Sequence, residues 1–150
     1  MGGKSQKRTL VMEEEVFLNL QRTAGALLRG VEAALKPHGL SANQYNVLRI
    51  LRGAGREGLA CRQIAERMLS RDPDMTRLLD RLEARRLAAR SRERQDRRVI
   101  TTRITEAGLA LLKELEAPVV EAHQRQLGRL GSGRLKALNE LLESARAGIQ

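Results

Sequence analysis

The chain has 150 residues, of which 28 are lysine or arginine and 18 are aspartate or glutamate, so its formal net charge is +10. With 41% hydrophobic residues it can form one domain with a core, or a small domain with an appended arm. Its aromatic residues are Phe17 and Tyr45 alone, which argues against a reader of single-stranded nucleic acid, because such readers stack bases on exposed aromatic side chains. The excess of positive charge favours double-stranded DNA as the partner.

Features that would indicate a membrane or secreted protein are missing from the sequence. No apolar run approaches the roughly 20 residues that span a bilayer, and residues 1–8 are basic and polar, without the apolar core of a signal peptide. The single cysteine, Cys61, cannot form an intrachain disulfide and fits a reducing compartment. We therefore expect a cytoplasmic protein that has no membrane contact.

The first two helices are predicted from periodicity and capping. Apolar residues recur at helical spacing from 13 to about 35, which predicts the first helix. Ser41 and Gln44 then form a capping box, in which the serine accepts from the third helical amide and the glutamine reaches back. The second helix should begin at Ser41 and end in the glycine-rich stretch 53–58.

That stretch spells G-x-G-x-x-G, the pattern of a dinucleotide-binding loop. The pattern needs a strand before it and a long helix after it, whereas here a helix precedes it. We therefore interpret residues 53–58 as a turn and expect no cofactor.

A third, short helix is predicted from about 60 to 69, with Ile64, Ala65 and Met68 facing inward. A turn then leads to Asp72, which is suited to cap a fourth helix, with Pro73 at the first helical position, where a missing amide hydrogen costs nothing. Helices three and four would form a helix-turn-helix.

The fourth helix has two unlike sides. Its predicted inward side consists of Met75, Leu78, Leu79 and Leu82. The opposite side carries Pro73, Arg77, Asp80 and Ala84, flanked by Thr76 and Arg81. That polar side would be available to a major groove.

An arginine-rich hairpin is predicted next, with strands at 87–92 and 98–104. Between Arg85 and Arg103 eight arginines face two acidic residues, so eight minus two gives a net charge of +6. A charge run by itself is usually a solvated face, but beside a helix-turn-helix it favours contact with DNA phosphates and a narrow minor groove. Asp96 is interpreted as structural, a carboxylate that orients a neighbouring arginine through a fork contact.

Two apolar stripes follow the hairpin, one at 109–119 and one at 135–142. Pro118 should kink the fifth helix without ending it, the helix should continue through 127, and residues 131–133 should form a turn with Ser132 capping the last helix. A second subunit would cover these stripes, although any all-α core would show the same pattern.

Taken together, these residues resemble the MarR family of winged-helix regulators. The resemblance rests on four segments: Leu40-Ser41-x-x-Gln44, 75–83, Asp96-Arg97-Arg98 and 104–108. It implies a mainly α fold with a small β-hairpin wing (α+β), in which a winged helix-turn-helix at 37–105 is joined to a helical dimerisation arm at 9–36 and 106–148. It also implies a homodimer on a pseudo-palindromic operator, usually a repressor that a small ligand or an oxidant relieves. By position, Arg98 would enter the minor groove, and Thr76 and Arg77 would face the major groove.

The sequence departs from the family pattern at two places. Many relatives have glycine where Arg86 stands, so a left-handed backbone there would be strained by on the order of 1 kcal/mol. Asp74 is acidic where DNA phosphates should be near, and it could either favour a cytosine amino group or face the helix dipole.

The predicted site residues form two sets. The DNA-contacting set is Ser41, Arg62, Gln63, Arg71, Asp74, Thr76, Arg77, Arg81, Arg92, Arg94, Arg97 and Arg98. Pockets in the family lie between the helical arm (9–36 and 106–148) and the winged helix-turn-helix (37–105), which we call the reader. This brings Phe17, His38 and Tyr45 into consideration for an effector.

Cys61 is either a redox switch at the start of the third helix or a half-buried structural cysteine. His38 and His123 are too far apart to suggest a metal site, and no catalytic set suggests an enzyme. Three function classes remain: a ligand-responsive sequence-specific regulator, an architectural DNA-binding protein, and a winged helix used only for protein contacts.

Overall fold

A computed structural model describes residues 11–71 and 74–149. The helices within these ranges are α1 (Met12–Leu35), α2 (Ala42–Ala54), α3 (Cys61–Arg67), α4 (Met75–Ala84), α5 (Glu106–Leu127) and α6 (Gly131–Ala147). The strands are β1 (Leu59–Ala60), β2 (Ala88–Arg92) and β3 (Ile100–Ile104), and 3-10 turns occupy Lys36–His38 and Gly128–Leu130. The predicted mainly α class with a small β-hairpin wing is confirmed.

The strands form one antiparallel sheet in the order β1-β3-β2. The hairpin register runs from Ala88 opposite Ile104 to Arg92 opposite Ile100. Both hairpin strands are shorter than expected, since β2 begins at 88 and β3 at 100. The sequence did not predict β1, because two residues are too few for a period-2 pattern.

The core lies where α2, α3, α4 and α5 converge beside the sheet. Its fully buried side chains include Leu48, Ile64, Leu82 and Leu115, each with no exposed surface. The inward side of α4 is as predicted, with Leu78, Leu79 and Leu82 buried and Met75 partly buried against the core. Ala65 was expected inside but is exposed, because α3 is only seven residues long and turns Ile64 alone fully inward.

Capping fixes the starts of α2 and α4. The Ser41–Gln44 box is confirmed: the Gln44 amide donates to Ser41 Oγ at 3.1 Å, and the Ser41 amide donates to Gln44 Oε1 at 3.0 Å. For α4, however, the predicted start is wrong, because Asp74 is the N-cap and accepts from the Arg77 amide at 3.0 Å. Asp72 and Pro73, which were expected to play the capping roles, lie outside the described residues.

The C-terminal helices also differ from expectation at one point. As predicted, α5 runs without interruption past Pro118. The turn lies at Gly128–Leu130, and residues 131–133 instead form the start of α6, so Ser132 is not its cap. Gly131 has a φ of 74°, a conformation that residues with a Cβ rarely adopt, so glycine suits this position.

The arm packs α1 against α5, and it buries much less than the reader. Gly30 permits the close approach, since a Cβ there would overlap with the Gln126 side chain, whose Nε2 donates to the carbonyls of Ala26 and Leu27 at 3.2 and 3.1 Å. Within α1 only Leu35 is buried, and no described residue of α6 is buried. The large apolar side chains left exposed on these two helices are Met12, Val16, Phe17, Leu20, Leu28, Leu138 and Leu141.

Candidate nucleic-acid interface

Polar side chains of α2 hold the connection between α3 and α4. The Leu69 amide donates to Asn46 Oδ1 at 2.8 Å, and Ser70 Oγ lies 2.9 Å from Asn43 Oδ1. These bonds fix the chain that leads toward α4. The sequence analysis missed both asparagines, since polar residues inside a helix give no signal of a partner more than 20 residues away.

The exposed side of α4 presents Thr76, Arg77 and Arg81. Asp74 precedes them and accepts from the Arg77 amide, so one of its oxygens caps the helix, where the dipole favours a negative charge. Of the two interpretations of Asp74, the geometry therefore supports the helix-terminus one. Thr76 and Arg77 lie exposed in the first turn of α4.

Arg90 of β2 joins the hairpin to α4. Its Nε donates to Glu83 Oε2 at 2.8 Å, and its Nη2 donates to Asp80 Oδ1 at 2.6 Å. The hydrogen bond that Arg90 donates to Glu83 lowers the pKa of Glu83 below its usual range. The same bond, together with the one that Arg90 donates to Asp80, raises the pKa of Arg90. Asp80, expected on the groove side, instead accepts from Arg90 and so holds the hairpin against α4.

The wing loop at 93–99 is shaped by backbone and side-chain bonds. Glu93 and Val99 are linked by an amide-to-carbonyl bond of 3.0 Å, and Asp96 Oδ1 accepts from the Arg98 amide at 3.0 Å. The same oxygen lies 3.5 Å from Arg98 Nε, so Asp96 contacts this arginine through one oxygen and not through a fork. Arg98 nevertheless keeps 94% of its side chain exposed.

Arg103 braces the base of the wing from β3. It donates to the Arg56 carbonyl at 2.8 Å, to Ser91 Oγ at 2.7 Å and to Glu93 Oε1 at 3.1 Å. Hydrogen bonds from Thr101 and then from Arg103 lower the pKa of Glu93. Arg103 therefore stabilises the hairpin and has few donors left for a phosphate.

The eight arginines between 85 and 103 thus divide by role. Arg85, Arg90 and Arg103 donate to acceptors within the fold. The exposed members of the wing are Arg92, Arg94, Arg97 and Arg98. Arg92 donates to the Arg97 carbonyl at 3.1 Å, while no bond to another described residue occupies the guanidinium of Arg94 or Arg97.

Arg86 has a left-handed backbone, with φ of 57°, so the strain that the sequence makes conditional on that conformation applies here. It is the one described non-glycine residue with positive φ. Its amide donates to the Glu83 carbonyl at 2.8 Å, and its own carbonyl accepts from Thr105 Oγ1 at 2.6 Å. The surrounding bonds hold this conformation although a Cβ disfavours it.

The remaining residues of the predicted DNA-contacting set lie on the reader surface. Ser41, Arg62, Gln63 and Arg71 are all exposed. Arg62 pairs with Glu66 at 3.0 Å, and Gln63 Oε1 accepts from the Ala60 amide at 2.9 Å, which leaves the amide group of Gln63 to donate elsewhere. These two residues lie in the first turn of α3.

The effector candidates are not brought together within one chain. Phe17 lies near the start of α1, 18 residues before Leu35 and so about 27 Å along the helix from it. His38 is in the 3-10 turn after α1, and Tyr45 packs against the core from α2, with the Arg49 guanidinium 5.8 Å from its ring centre. Phe17 therefore cannot line one cavity with His38 and Tyr45 of the same chain.

Cys61 is exposed at the first position of α3, so the expectation of a half-buried structural cysteine is wrong.

Across residues 11–71 and 74–149, no group of three or more histidine, cysteine or acidic side chains could hold a metal ion. Among the helices in this part of the chain, none combines the length and the apolar character that crossing a membrane requires.

Comparison with known proteins places this geometry in a family. The model of the MarR family matches residues 38–99. The transcriptional regulator MhqR of Bacillus subtilis is 30% identical over 101 residues, which are 67% of this chain and 68% of MhqR.

Solved structures extend the likeness to nearly the whole chain. A MarR transcription factor from Planctomyces limnophilus is 44% identical, with a TM-score of 0.70 over 91% of this chain and 98% of that one. CouR from Rhodococcus jostii RHA1, in a structure bound to p-coumaroyl-CoA, is 30% identical, with a TM-score of 0.75 over 91% of this chain and 95% of CouR. The relatives are transcriptional regulators and not enzymes, and this chain belongs to the MarR family.

Proposed function

We propose that the protein is a homodimeric transcriptional regulator that binds a pseudo-palindromic operator in double-stranded DNA and acts as a repressor relieved by a small ligand. The reader at 37–105 would bind one half-site, and the arm at 9–36 and 106–148 would join two readers. A regulator of this kind works where the chromosome is, so a cytoplasmic location belongs to the proposal.

The DNA-binding part of the proposal rests on one observation: Arg90 links two exposed basic surfaces. The first surface is the exposed side of α4, with Thr76, Arg77 and Arg81, which we assign to base edges and flanking phosphates in the major groove. The second is the wing, where Arg97 and Arg98 are exposed, and we assign them to the adjacent minor groove. Because Arg90 of the wing donates hydrogen bonds to Asp80 and Glu83 of α4, the two surfaces keep a fixed position relative to each other.

The dimer is supported by the poor burial of the arm. Val16, Leu20 and Leu28 of α1 are 48%, 41% and 48% exposed, and Leu141 of α6 is 68% exposed. Apolar side chains in such numbers on two helices of a small protein indicate a partner surface. A second copy satisfies this need symmetrically, and it also gives the twofold axis that an inverted repeat requires.

The effector part is supported by a cleft and by a relative. A cleft of about 450 Å³ lies between α1 and the turn that joins α5 to α6, and its wall includes Leu27 and Leu138 beside Arg22 and Arg129. An apolar body with an anionic group would fit that lining. CouR, whose structure contains p-coumaroyl-CoA, gives a precedent for an aromatic, anionic ligand.

Selection of bound sequences from a random duplex pool tests the proposal. At about 150 mM salt, where counterion-driven binding is weakened, we expect the full chain to enrich an inverted repeat. Its half-sites should be about one helical turn apart.

A matched pair of variants identifies the reading surface. Arg77→Ala should relax the base preference at one position of each half-site, whereas Arg94→Ala should weaken binding to all duplexes alike. Binding without any shared motif would support the architectural alternative. Failure to bind any duplex would leave only protein contacts and would refute both DNA-binding functions.

A further inference from the structure

The junction between arm and reader is a short turn whose carbonyl groups need partners. The arm helix α1 runs into the 3-10 turn Lys36–His38, then Gly39 takes a left-handed conformation with φ of 64°, and α2 begins after Ser41. The last carbonyls of a helical run have no partner within it. Here the carbonyls of His38 and Gly39 point to a residue that is more than 40 positions away.

Arg85, at the C-terminal end of the recognition helix α4, supplies both partners. Its Nη1 donates to the Gly39 carbonyl at 2.8 Å, and its Nη2 donates to the His38 carbonyl at 2.9 Å. A planar guanidinium can bind two successive carbonyls at once, whereas a lysine ammonium is a point charge that cannot reproduce the fork. The cation also lies at the C-terminal end of the helical run, where the dipole favours it.

The same turn contacts the arm on its other side. His38 Nδ1 lies 3.9 Å from Glu114 Oε2 on α5, and the Leu40 amide donates back to the Leu35 carbonyl of α1. The turn is therefore in contact with α1, with α5 and, through Arg85, with α4. Among the described residues of α4 and its C-cap, Arg85 alone donates a hydrogen bond to this turn.

We propose that Arg85 is a positioning residue that fixes the recognition helix relative to the arm, and that it thereby sets the half-site spacing that the dimer accepts. The inference rests on the proposed dimeric, DNA-binding function. Each added base pair rotates one half-site against the other by about a tenth of a turn. A dimer with a rigid junction must strain to follow that rotation, while a dimer with a loosened junction can follow it.

The test measures the affinity of the full chain for the selected inverted repeat and for versions with one base pair added or removed between half-sites. Wild type should prefer its own spacing by about tenfold or more. Arg85→Lys and Arg85→Gln should both reduce that preference to within about threefold, because neither side chain can form the fork. Affinity for a duplex with a single half-site should stay within about twofold of wild type in both variants, since the reading side chains are untouched.

The lysine variant separates this role from a phosphate contact. If Arg85 acted on a phosphate, Arg85→Lys would match wild type, and Arg85→Gln would weaken all duplexes and reduce the salt slope by about one contact. That result would overturn the inference, as would a spacing preference that neither variant changes. A general loss of folding would lower half-site and full-site binding together and so contradict the expected pattern. If wild type bound no duplex or showed no spacing preference, the proposed function itself would be refuted, and the inference with it.

Discussion

The reader and the arm differ in how much of their apolar surface is buried, and how many of their polar groups are hydrogen-bonded, within one chain. In the reader, Leu48, Ile64 and Leu82 have no exposed surface, and the arginines of the wing base find acceptors within the fold. In the arm, α6 buries none of its described residues, and α1 buries only Leu35. The contrast indicates that one chain completes the core that the reader shares with α5, while α1 and α6 leave apolar side chains exposed for a partner surface.

The contrast also separates two kinds of hydrophobic residue that look alike in the sequence. Leucines at helical spacing occur in α4 and in α6. Those of α4 are at most 7% exposed, whereas Leu141 of α6 is 68% exposed. Stability of a single chain should depend on the first kind, and self-association should depend on the second.

The largest effect is expected from truncating the reader core. Leu48→Ala should lower the free energy of unfolding by about 3 kcal/mol, because it removes a fully buried side chain and leaves a cavity. Leu141→Ala should change the free energy of unfolding of one chain by far less and should instead weaken the dimer, so that the unfolding midpoint rises less with protein concentration than in wild type. Denaturant titrations at several protein concentrations check both; equal effects of the two variants would contradict the division.

A smaller effect is expected within the arginine set. Arg97→Ala should weaken binding to every duplex by about 1 kcal/mol and make the salt dependence shallower by about one phosphate contact. Arg103→Ala should leave the salt slope unchanged and lower the unfolding midpoint, because its donors are bonded to Arg56, Ser91 and Glu93. Binding titrations across a range of salt concentrations, together with thermal unfolding, distinguish the two roles, and a reversed pattern would refute them.

Arg86→Gly should stabilise the protein by on the order of 1 kcal/mol, because it removes the left-handed strain of a residue with a Cβ. The greater freedom of glycine in the unfolded chain offsets part of this gain. The matched control is Arg56→Gly in the exposed turn after α2, where no positive φ is relieved. A destabilised Arg86→Gly protein would show that the arginine side chain contributes more than its backbone strain removes.

The smallest effect is on the pH dependence. Because Arg90 lowers the pKa of Glu83 below its ordinary value of 4.5, the pair stabilises the fold above that value and loses its contribution as the pH falls through the lowered pKa. Glu83→Gln should therefore be less stable than wild type at pH 7, and the difference should shrink below about pH 4.5. Unfolding curves from pH 7 to pH 3 provide the check, and a constant difference would contradict the ion pair.

The sequence predicted what depends on neighbours along the chain. The capping box at Ser41 and the buried side of α4 follow from spacings of three and four residues, and both are confirmed. The sequence also marked Arg86 as a position where a left-handed backbone would be strained, and the backbone there is left-handed.

What the sequence could not predict depends on distant contacts. Arg85, Arg90 and Arg103 have the same signal in the sequence as Arg94 and Arg97, and only the fold gives them acceptors, up to 47 positions away. The two-residue β1 was missed for the same reason, because it exists only through its pairing with β3. The α4 start was misjudged because Asp72 and Asp74 are both suitable caps in sequence.

The most direct test of the central claim is sedimentation equilibrium of the full chain without DNA, compared with Leu141→Glu and with Leu69→Glu. Leu69 is a matched control because it is a leucine of the reader that is 86% exposed. We predict twice the mass of one chain for wild type and for Leu69→Glu, and a shift toward one chain for Leu141→Glu. A wild-type protein that sediments as a single chain at micromolar concentration would contradict the account.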